Sequence, residues 1–439
     1  MQRFRTGMTG YTIAWFGQLV SALGTHMTQF ALSIWAWEVT GEATALALVA
    51  FASYFPRIAL APLAGALVDR WNRKTVLILS DLGAGAGTAA VLALFLLGRL
   101  EIWHLYVVAV VTGVFGSIQF PAFLASISLM LPKKHHTRAN TMLPLVNSIA
   151  GIIAPGFAGA VLAFSNLGTV LLIDIVSFCT AVALLLIIPI PQPRTASEPA
   201  RERRSLWAES LFGLKYILRS RSLRSFVALS STKSALLRGA VAVIPAMVLA
   251  RTGSDEIALG LVMMQFGIGA LVGGAIVSLC GGPRRRRMLA VLISGLFTSL
   301  AGTILIGVGS GVAWWAAGAF FSTFMIPLSN GTGTTIWQSK IPPEIQGRVF
   351  SSRIFFSAIG CGIAYPLTGT LADHVFEPFM AGSSAVAGAL ARVFGAEPGA
   401  GMSLLIAILG GVGVVVSVIG LLSKPIRNIE TLLPDHDEF

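Results

Sequence analysis

The sequence predicts an all-α integral membrane protein whose twelve transmembrane helices form two pseudo-symmetric six-helix bundles. Three observations carry this reading. Hydrophobic residues make up 55% of the 439-residue chain and charged residues only 11%, against roughly 25% charge in a soluble protein. Twelve stretches are apolar for about the 20 residues that a helix needs to cross a bilayer core. Lys and Arg are sorted, loop by loop, onto one side of those stretches.

The spans run over 10–37, 44–68, 75–97, 103–131, 138–163, 167–190, 223–250, 256–280, 288–308, 312–338, 347–372 and 401–423, to within a few residues. Arg3 and Arg5 precede the first run, which has no Ala-x-Ala-like cleavage site and reads as a retained span. Many Gly and several Pro lie inside the spans. In a membrane, small residues let helices approach and neighbours satisfy freed backbone groups. The polar stretch 191–222 divides the chain into an N-terminal bundle, 1–190, a cytoplasmic linker, and a C-terminal bundle with a short cytoplasmic tail, 223–439. Within the linker, Trp207, Leu211, Leu214 and Leu218 share a helical face, with Lys215, Arg219 and Arg221 elsewhere. That is the pattern of an interfacial amphipathic helix. The Ala- and Gly-rich loop 373–400 reads either as a short surface helix or as a partly re-entrant lid.

Charge sets the expected orientation. With the N-terminus inside the cell, 25 Lys and Arg fall on the inner side. Only Arg99, Arg251 and Arg392 fall outside, and Arg57, Lys233 and Arg238 lie within spans. One missed helix would invert every later loop, so both termini are expected in the cytoplasm of a multi-pass plasma (inner) membrane protein. The net charge of +12 would suggest nucleic acid in a soluble protein. Here it belongs to short loops, and no nucleic acid partner is expected. Cys179, Cys280 and Cys361 are scattered through apolar runs and form neither a disulfide framework nor a metal-ligand spacing. No phosphate-binding loop, metal cluster or nucleophile–base motif occurs, so neither an enzyme nor a cofactor nor a metal is expected.

The halves read as repeats. Leu131-Pro132, Arg138 and Pro155 are matched by Ile341-Pro342, Arg348 and Pro366, at offsets of 210, 210 and 211 residues. Half-chain duplication in a helical membrane protein points to two bundles rocking about a shared polar centre.

The segment Gly65-Ala-Leu-Val-Asp69-Arg70-Trp-Asn-Arg73-Lys74 resembles the loop 2–3 signature of the major facilitator superfamily, with Asn72 where a Gly is usual. The resemblance covers the whole chain, and loop 8–9 holds a decayed copy, Gly281 to Arg287, without the aspartate. It implies the major facilitator fold and a small-molecule transporter, acting as a monomer in the lipid bilayer. It also implies a conformational latch of Gly65, Asp69, Arg70, Arg73 and Lys74. Asp69 would meet the positive end of the helix that begins near Arg348, a contact of about 0.3–1 kcal/mol. The cations would bind carboxylates or lipid headgroups, or would only fix topology, the reading preferred for Lys74. In span 5, Ala150-x-x-x-Ala154-Pro155-x-x-Ala158-Gly159 is similar to the antiporter motif of the superfamily, with Ala for most Gly. The alternative is ordinary small-residue packing. The stretch from Leu131 to Asn140, Asp174 early in span 6, and the segment from Thr370 to Pro378 look similar to the macrolide-efflux and siderophore-export branch.

Polar groups inside spans are the remaining candidates, since a charge at mid-bilayer costs about 2.5–3.5 kcal/mol unless it is paired or faces a cavity. By the resemblance, spans 1, 4, 7 and 10 line the cavity, which makes His26, Gln29, Gln119, Lys233, Arg238 and Asn330 its candidate wall. The buried charges Arg57, Asp81 and Asp174 read as structural anchors rather than proton sites. His26 is a possible proton carrier, but a hydrogen-bonded packing role is the commoner one. Spans 1 and 4 lack the mid-span acid that many proton-coupled exporters use. The expected function is secondary transport of a small amphipathic molecule, as proton-coupled export of a drug-, macrolide- or siderophore-like substrate. The alternatives are a proton-coupled importer of a nutrient or organic anion and a transport-inactive receptor or scaffold. Lys233 and Arg238 suit an anionic or catechol-like substrate.

Overall fold

The computed structural model describes residues 7–60, 71–132, 135–190, 206–283 and 285–433, and every regular element among them is a helix. The first six are α1 (Met8–Thr40), α2 (Ala43–Ala59), α3 (Arg73–Leu96), α4 (Ile102–Met130), α5 (His136–Phe164) and α6 (Leu167–Ile187). The linker helix is α7 (Leu206–Arg219). It is followed by α8 (Arg221–Thr252), α9 (Glu256–Cys280), α10 (Arg287–Val308), α11 (Val312–Lys340) and α12 (Pro343–Leu371). A π turn (Ala372–Phe376) leads to the short helices α13 (Glu377–Ala381) and α14 (Ala385–Phe394). The chain closes with α15 (Ala400–Leu422) and two tail turns, α16 (Lys424–Arg427) and α17 (Ile429–Leu432).

Ten of these helices are long and apolar enough to cross a membrane. With α1 and α2 they make the twelve predicted spans. α1 has the length, 33 residues, but Gln18, Thr25, His26, Thr28 and Gln29 dilute its hydropathy. α2 is described only to Ala59, and the rest of its predicted span falls largely on residues 61–70, outside the described residues. The protein is a multi-pass membrane protein.

The helix ends follow local chemistry. Asn72, Asn166, Ser220 and Ser384 each accept a hydrogen bond from the backbone N–H three residues on, which satisfies a donor that the first turn leaves free. Gly41 ends α1 and Gly253 ends α8 in the left-handed conformation, at φ 64° and 66°, where a side chain would strain the backbone. Asn72 stands where the family signature usually has Gly, and it supplies the cap of α3.

The helices pack as two units. The first is Met1–Gly41, Leu48–Pro199 and Asp255–Met264; the second is Glu42–Ala47, Ala200–Ser254 and Gln265–Phe439. In the first, α1 is held to α5 by Tyr11, whose hydroxyl donates to the Ala139 carbonyl at 2.8 Å, and by Trp15, whose indole donates to Met142 at 2.7 Å. Tyr11, Leu77, Phe123, Leu185 and Ile188 form its core at the basic ends of the helices.

In the second unit, Phe226, Leu292, Trp337, Ile341, Ile426 and Ile429 share one core, so the tail turns are part of the fold. Glu430 caps α10 by accepting from the Met288 N–H at 3.1 Å, and Lys340 donates to the carbonyls of Glu430 and Leu433. The linker helix packs through Gly213 and Ile217, whereas Leu218 of the predicted apolar face is 49% exposed. A Cβ at Gly213 would lie 2.3 Å from the Arg348 carbonyl, so glycine lets α7 rest on the first turns of α12. Loop 373–400 is helical. Glu377 accepts from the N–H groups of Gly399 and Met402 at 3.2 and 2.8 Å. Arg251 donates to Ser403 at 2.8 Å and to the Phe394 carbonyl at 2.9 Å, with its guanidinium over the Trp315 ring.

Candidate functional site

In the first unit, one deeply buried acid is on α3. Asp81 is 1% exposed. Its Oδ2 accepts from the Gln18 amide of α1 at 3.1 Å and its Oδ1 from the Gln119 amide of α4 at 2.7 Å. Gln119 also donates to the Gln18 carbonyl at 3.1 Å, and Ser21 contributes a further side-chain hydrogen bond to the carboxyl. The acid is thus carried by α3 but bound by side chains of α1 and α4. A carboxyl bound only by neutral donors can hold or release a proton without breaking an ion pair.

A second buried acid lies on α6. Asp174, also 1% exposed, accepts from Thr28 at 2.8 Å, Thr88 at 3.0 Å and Ser177 at 3.4 Å. Gly24 on α1 makes room, since a Cβ there would lie 2.2 Å from Ser177 Oγ and 2.5 Å from Asp174 Oδ1. His26, between Gly24 and Thr28 in sequence, is hydrogen-bonded to Asn147 of α5, with the Arg57 charge nearby. Arg57 runs past Gly116 of α4, where a Cβ would come within 3.2 Å of its Nη2. Gln29 is exposed.

Of the predicted latch, Gly65, Asp69 and Arg70 lie outside the described residues. Arg73 and Lys74 are described, and both donate to backbone carbonyls, Lys74 at a helix end. Arg73 donates to the Ala125 carbonyl of α4 at 2.7 Å. Lys74 donates to the carbonyls of Leu186 and Ile188, at the end of α6, at 2.9 Å each. A cation at a helix C-terminus meets carbonyls that have no partner within the helix and the negative end of its dipole.

The antiporter-like residues have a packing role in the first unit. Ala154 and Ala158 are fully buried. A Cβ at Gly159 would lie 2.6 Å from the Glu256 carbonyl, and one at Gly260 would lie 2.8 Å from the Pro155 carbonyl. Small residues therefore let the start of α9 approach the backbone of α5.

The second unit carries cations instead of acids at this depth. Lys233 of α8 lies against Gly295 of α10, where a Cβ would fall 1.3 Å from its Nζ. Its hydrogen bond is a long one, 3.5 Å, to the Val291 carbonyl. Arg238, one to two turns further along α8, is exposed, as is Asn330 of α11. Arg353 of α12 lies over Trp337, 5.6 Å from the ring centroid, and Trp337 stacks on Phe226 at 5.6 Å and 15°. The indole N–H of Trp337 has no hydrogen-bond partner. Charge counting places Arg353 with the loop cations although it falls within predicted span 347–372. Its position inside a span is the signal that could have found it.

These elements have known relatives. The model of the Major Facilitator Superfamily matches residues 14–365. Macrolide efflux protein A of Streptococcus pyogenes is 23% identical over 381 residues, 85% of this chain and 92% of that protein. The multidrug efflux pump Tap of Mycolicibacterium fortuitum is 24% identical over 374 residues, 82% and 88% of the two chains. Among solved structures, a POT family transporter in complex with 5-aminolevulinic acid aligns with a TM-score of 0.70 at 12% identity, covering 96% of this chain and 98% of that one. The nucleoside transporter NupG aligns at 0.64 and 13% identity, covering 94% and 98%. Both share the fold. Twelve apolar helices, duplicated halves and a family match over most of the length lead to one assignment: the chain belongs to the Major Facilitator Superfamily of transporters.

Proposed function

We propose that this transporter exports a small amphipathic organic molecule across the plasma membrane in exchange for protons, with both termini cytoplasmic and the chain acting as a monomer. The observation that carries the reading is its similarity, over more than four-fifths of the chain, to proteins named for macrolide and multidrug efflux. The antiporter-like residues Ala154, Pro155 and Gly159 support it. We assign the proton to Asp81, whose carboxyl is bound by amides of α1 and α4 and has no cation among its bonded partners. The substrate path takes Gln29, Arg238 and Asn330, whose side chains are exposed on α1, α8 and α11. His26 and Gln119 are joined to Asn147 and Asp81. Lys233 offers a second charge on α8, and the two cations there favour a substrate with an anionic or catechol-like group. Asp69, with Gly65, Arg70, Arg73 and Lys74, is proposed to latch the basic end.

The test is an accumulation screen in cells with and without the gene, using macrolides, cationic drugs and catechol siderophores, each with and without a protonophore. Export predicts lower accumulation in cells that carry the gene, abolished by the protonophore. Higher accumulation in those cells would support the importer reading, which the two α8 cations also suit.

A further inference from the structure

We propose that Arg353 and Trp337 form an oxyanion site at the basic end of the second unit, one that takes the phosphate of an acidic lipid or a free phosphate. The site is separate from Lys233, which lies against α10. It rests on no assignment of direction, coupling ion or substrate.

Every residue in it belongs to the second unit. Trp337 is three residues before the end of α11 at Lys340 and is 1% exposed. Its ring is fixed by the Phe226 stack, and a Cβ at Gly333, one turn back, would lie 3.6 Å from Phe226 Cζ. Arg353 of α12 is half-buried and brings its guanidinium over that ring. Seven residues further on, α12 is held beside α8, where a Cβ at Gly360 would lie 3.5 Å from Ala235 Cβ and 3.6 Å from the Ser231 carbonyl. Three packed helices thus set the cation and the indole against each other.

Donors gather here without acceptors. The indole N–H of Trp337 is buried and has no hydrogen-bond partner. Arg353 carries five N–H donors, yet it has no hydrogen bond and no carboxylate beside it among the described residues. The same unit contains a completed version of the pair. Arg251 also lies over an indole, that of Trp315. There the Trp315 N–H donates to the Gly309 carbonyl at 2.8 Å, and the guanidinium donates to Ser403 and to the Phe394 carbonyl. The two pairs share the stack and differ in their acceptors.

A buried donor left unpaired costs free energy, and a cation within a span costs more. A neutral acceptor would satisfy the indole and leave the charge. A phosphate satisfies both, because the guanidinium fork grips two of its oxygens and a third remains for the indole N–H. Depth agrees with this ligand. Arg353 is six residues into predicted span 347–372, roughly 9 Å of helix, and reaches back to Trp337 near the end of α11. That is where a long arginine meets headgroups, and the neighbouring Ile354 and Phe355 are exposed.

The test uses the purified full chain with two probes. Phosphatidylglycerol is titrated and its retention read by native mass spectrometry. Sodium phosphate is added against sodium chloride at equal ionic strength, and the melting midpoint is read. Retained lipid assigns the site to a headgroup, and a midpoint raised by phosphate assigns it to the free anion; either supports the proposal. Arg353→Gln should weaken whichever probe binds by at least about tenfold. Trp337→Phe, which keeps the stack and removes only the N–H, should weaken it by about fivefold. If Arg353→Gln fails to fold, Trp337→Phe carries the test. Arg285→Gln, in the exposed basic loop of the same unit, should leave binding unchanged. Binding of neither probe, or undiminished binding by Trp337→Phe, would overturn the proposal. So would an equal loss in Arg285→Gln, the mark of unspecific attraction to basic loops. Neither readout involves transport, so a failed efflux assignment leaves the result intact.

Discussion

The two units accommodate a charged side chain near the start of a helix in opposite ways. Asp81 is eight residues past the start of α3, and Gly295 is eight residues past the start of α10. In the first unit, α3 supplies a carboxyl that reaches Gln18 and Ser21 of α1 and Gln119 of α4. In the second, Gly295 of α10 has no Cβ, and Lys233 of α8 lies against it. One half thus buries an acid with every oxygen bonded to a neutral partner. The other holds a half-buried cation with one long contact to a carbonyl. On the proposed function, proton handling would fall to the first unit and charge recognition to the second.

The comparison breaks most visibly at the acid. Asp81→Ala should lower the stability of the purified protein by about 2–3 kcal/mol, because the amides of Gln18 and Gln119 lose a buried acceptor. A thermal-melt series checks it, and an unchanged midpoint would mean that the network is dispensable. Lys233→Met should move the other way, leaving stability equal or raising it by about 1 kcal/mol, since a thinly bonded buried cation carries a desolvation cost that an apolar chain does not. A loss as large as that of Asp81→Ala would contradict the contrast. Thr28→Val and Thr88→Val should each lower stability by about 1 kcal/mol, since each removes one bond to Asp174. Their double mutant should fall short of additivity because both threonines share Oδ2. The smallest effect belongs to Lys74→Ala, about 0.5 kcal/mol at low salt and less at high salt, from the loss of the α6 cap.

The spans were legible because hydropathy and the placement of Lys and Arg are properties of single residues. Their predicted ends fall within about four residues of the observed ones wherever both are described. α1 was legible in spite of its polar residues, because a long apolar run surrounds them. Partnership was not legible. Sequence reading names Gln18, Gln119 and Asp81 separately, and nothing along the chain says that one carboxyl joins residues 63 and 38 positions away. The cations of loop 2–3 could be read as topology or headgroup ligands, but the acceptors of Arg73 and Lys74 are backbone carbonyls of α4 and of the end of α6, which any sequence would supply. Lys233 was visible as a charge within a span. Gly295 was one of 47 glycines, distinguished only by what lies opposite it. Glu377 sat in a loop whose structure the sequence left open, and its bonds to Gly399 and Met402 depend on a course of the chain that no periodicity announces.

The central claim is that the first unit couples transport to protons through Asp81 while the second holds the substrate's charge. It is tested most directly in proteoliposomes, with the substrate that the accumulation screen identifies, by comparing Asp81→Asn with the unaltered protein in two assays. The account predicts that the variant keeps substrate exchange at equal pH on both sides but loses at least about tenfold in accumulation driven by a pH difference. Undiminished pH-driven accumulation by Asp81→Asn would contradict it.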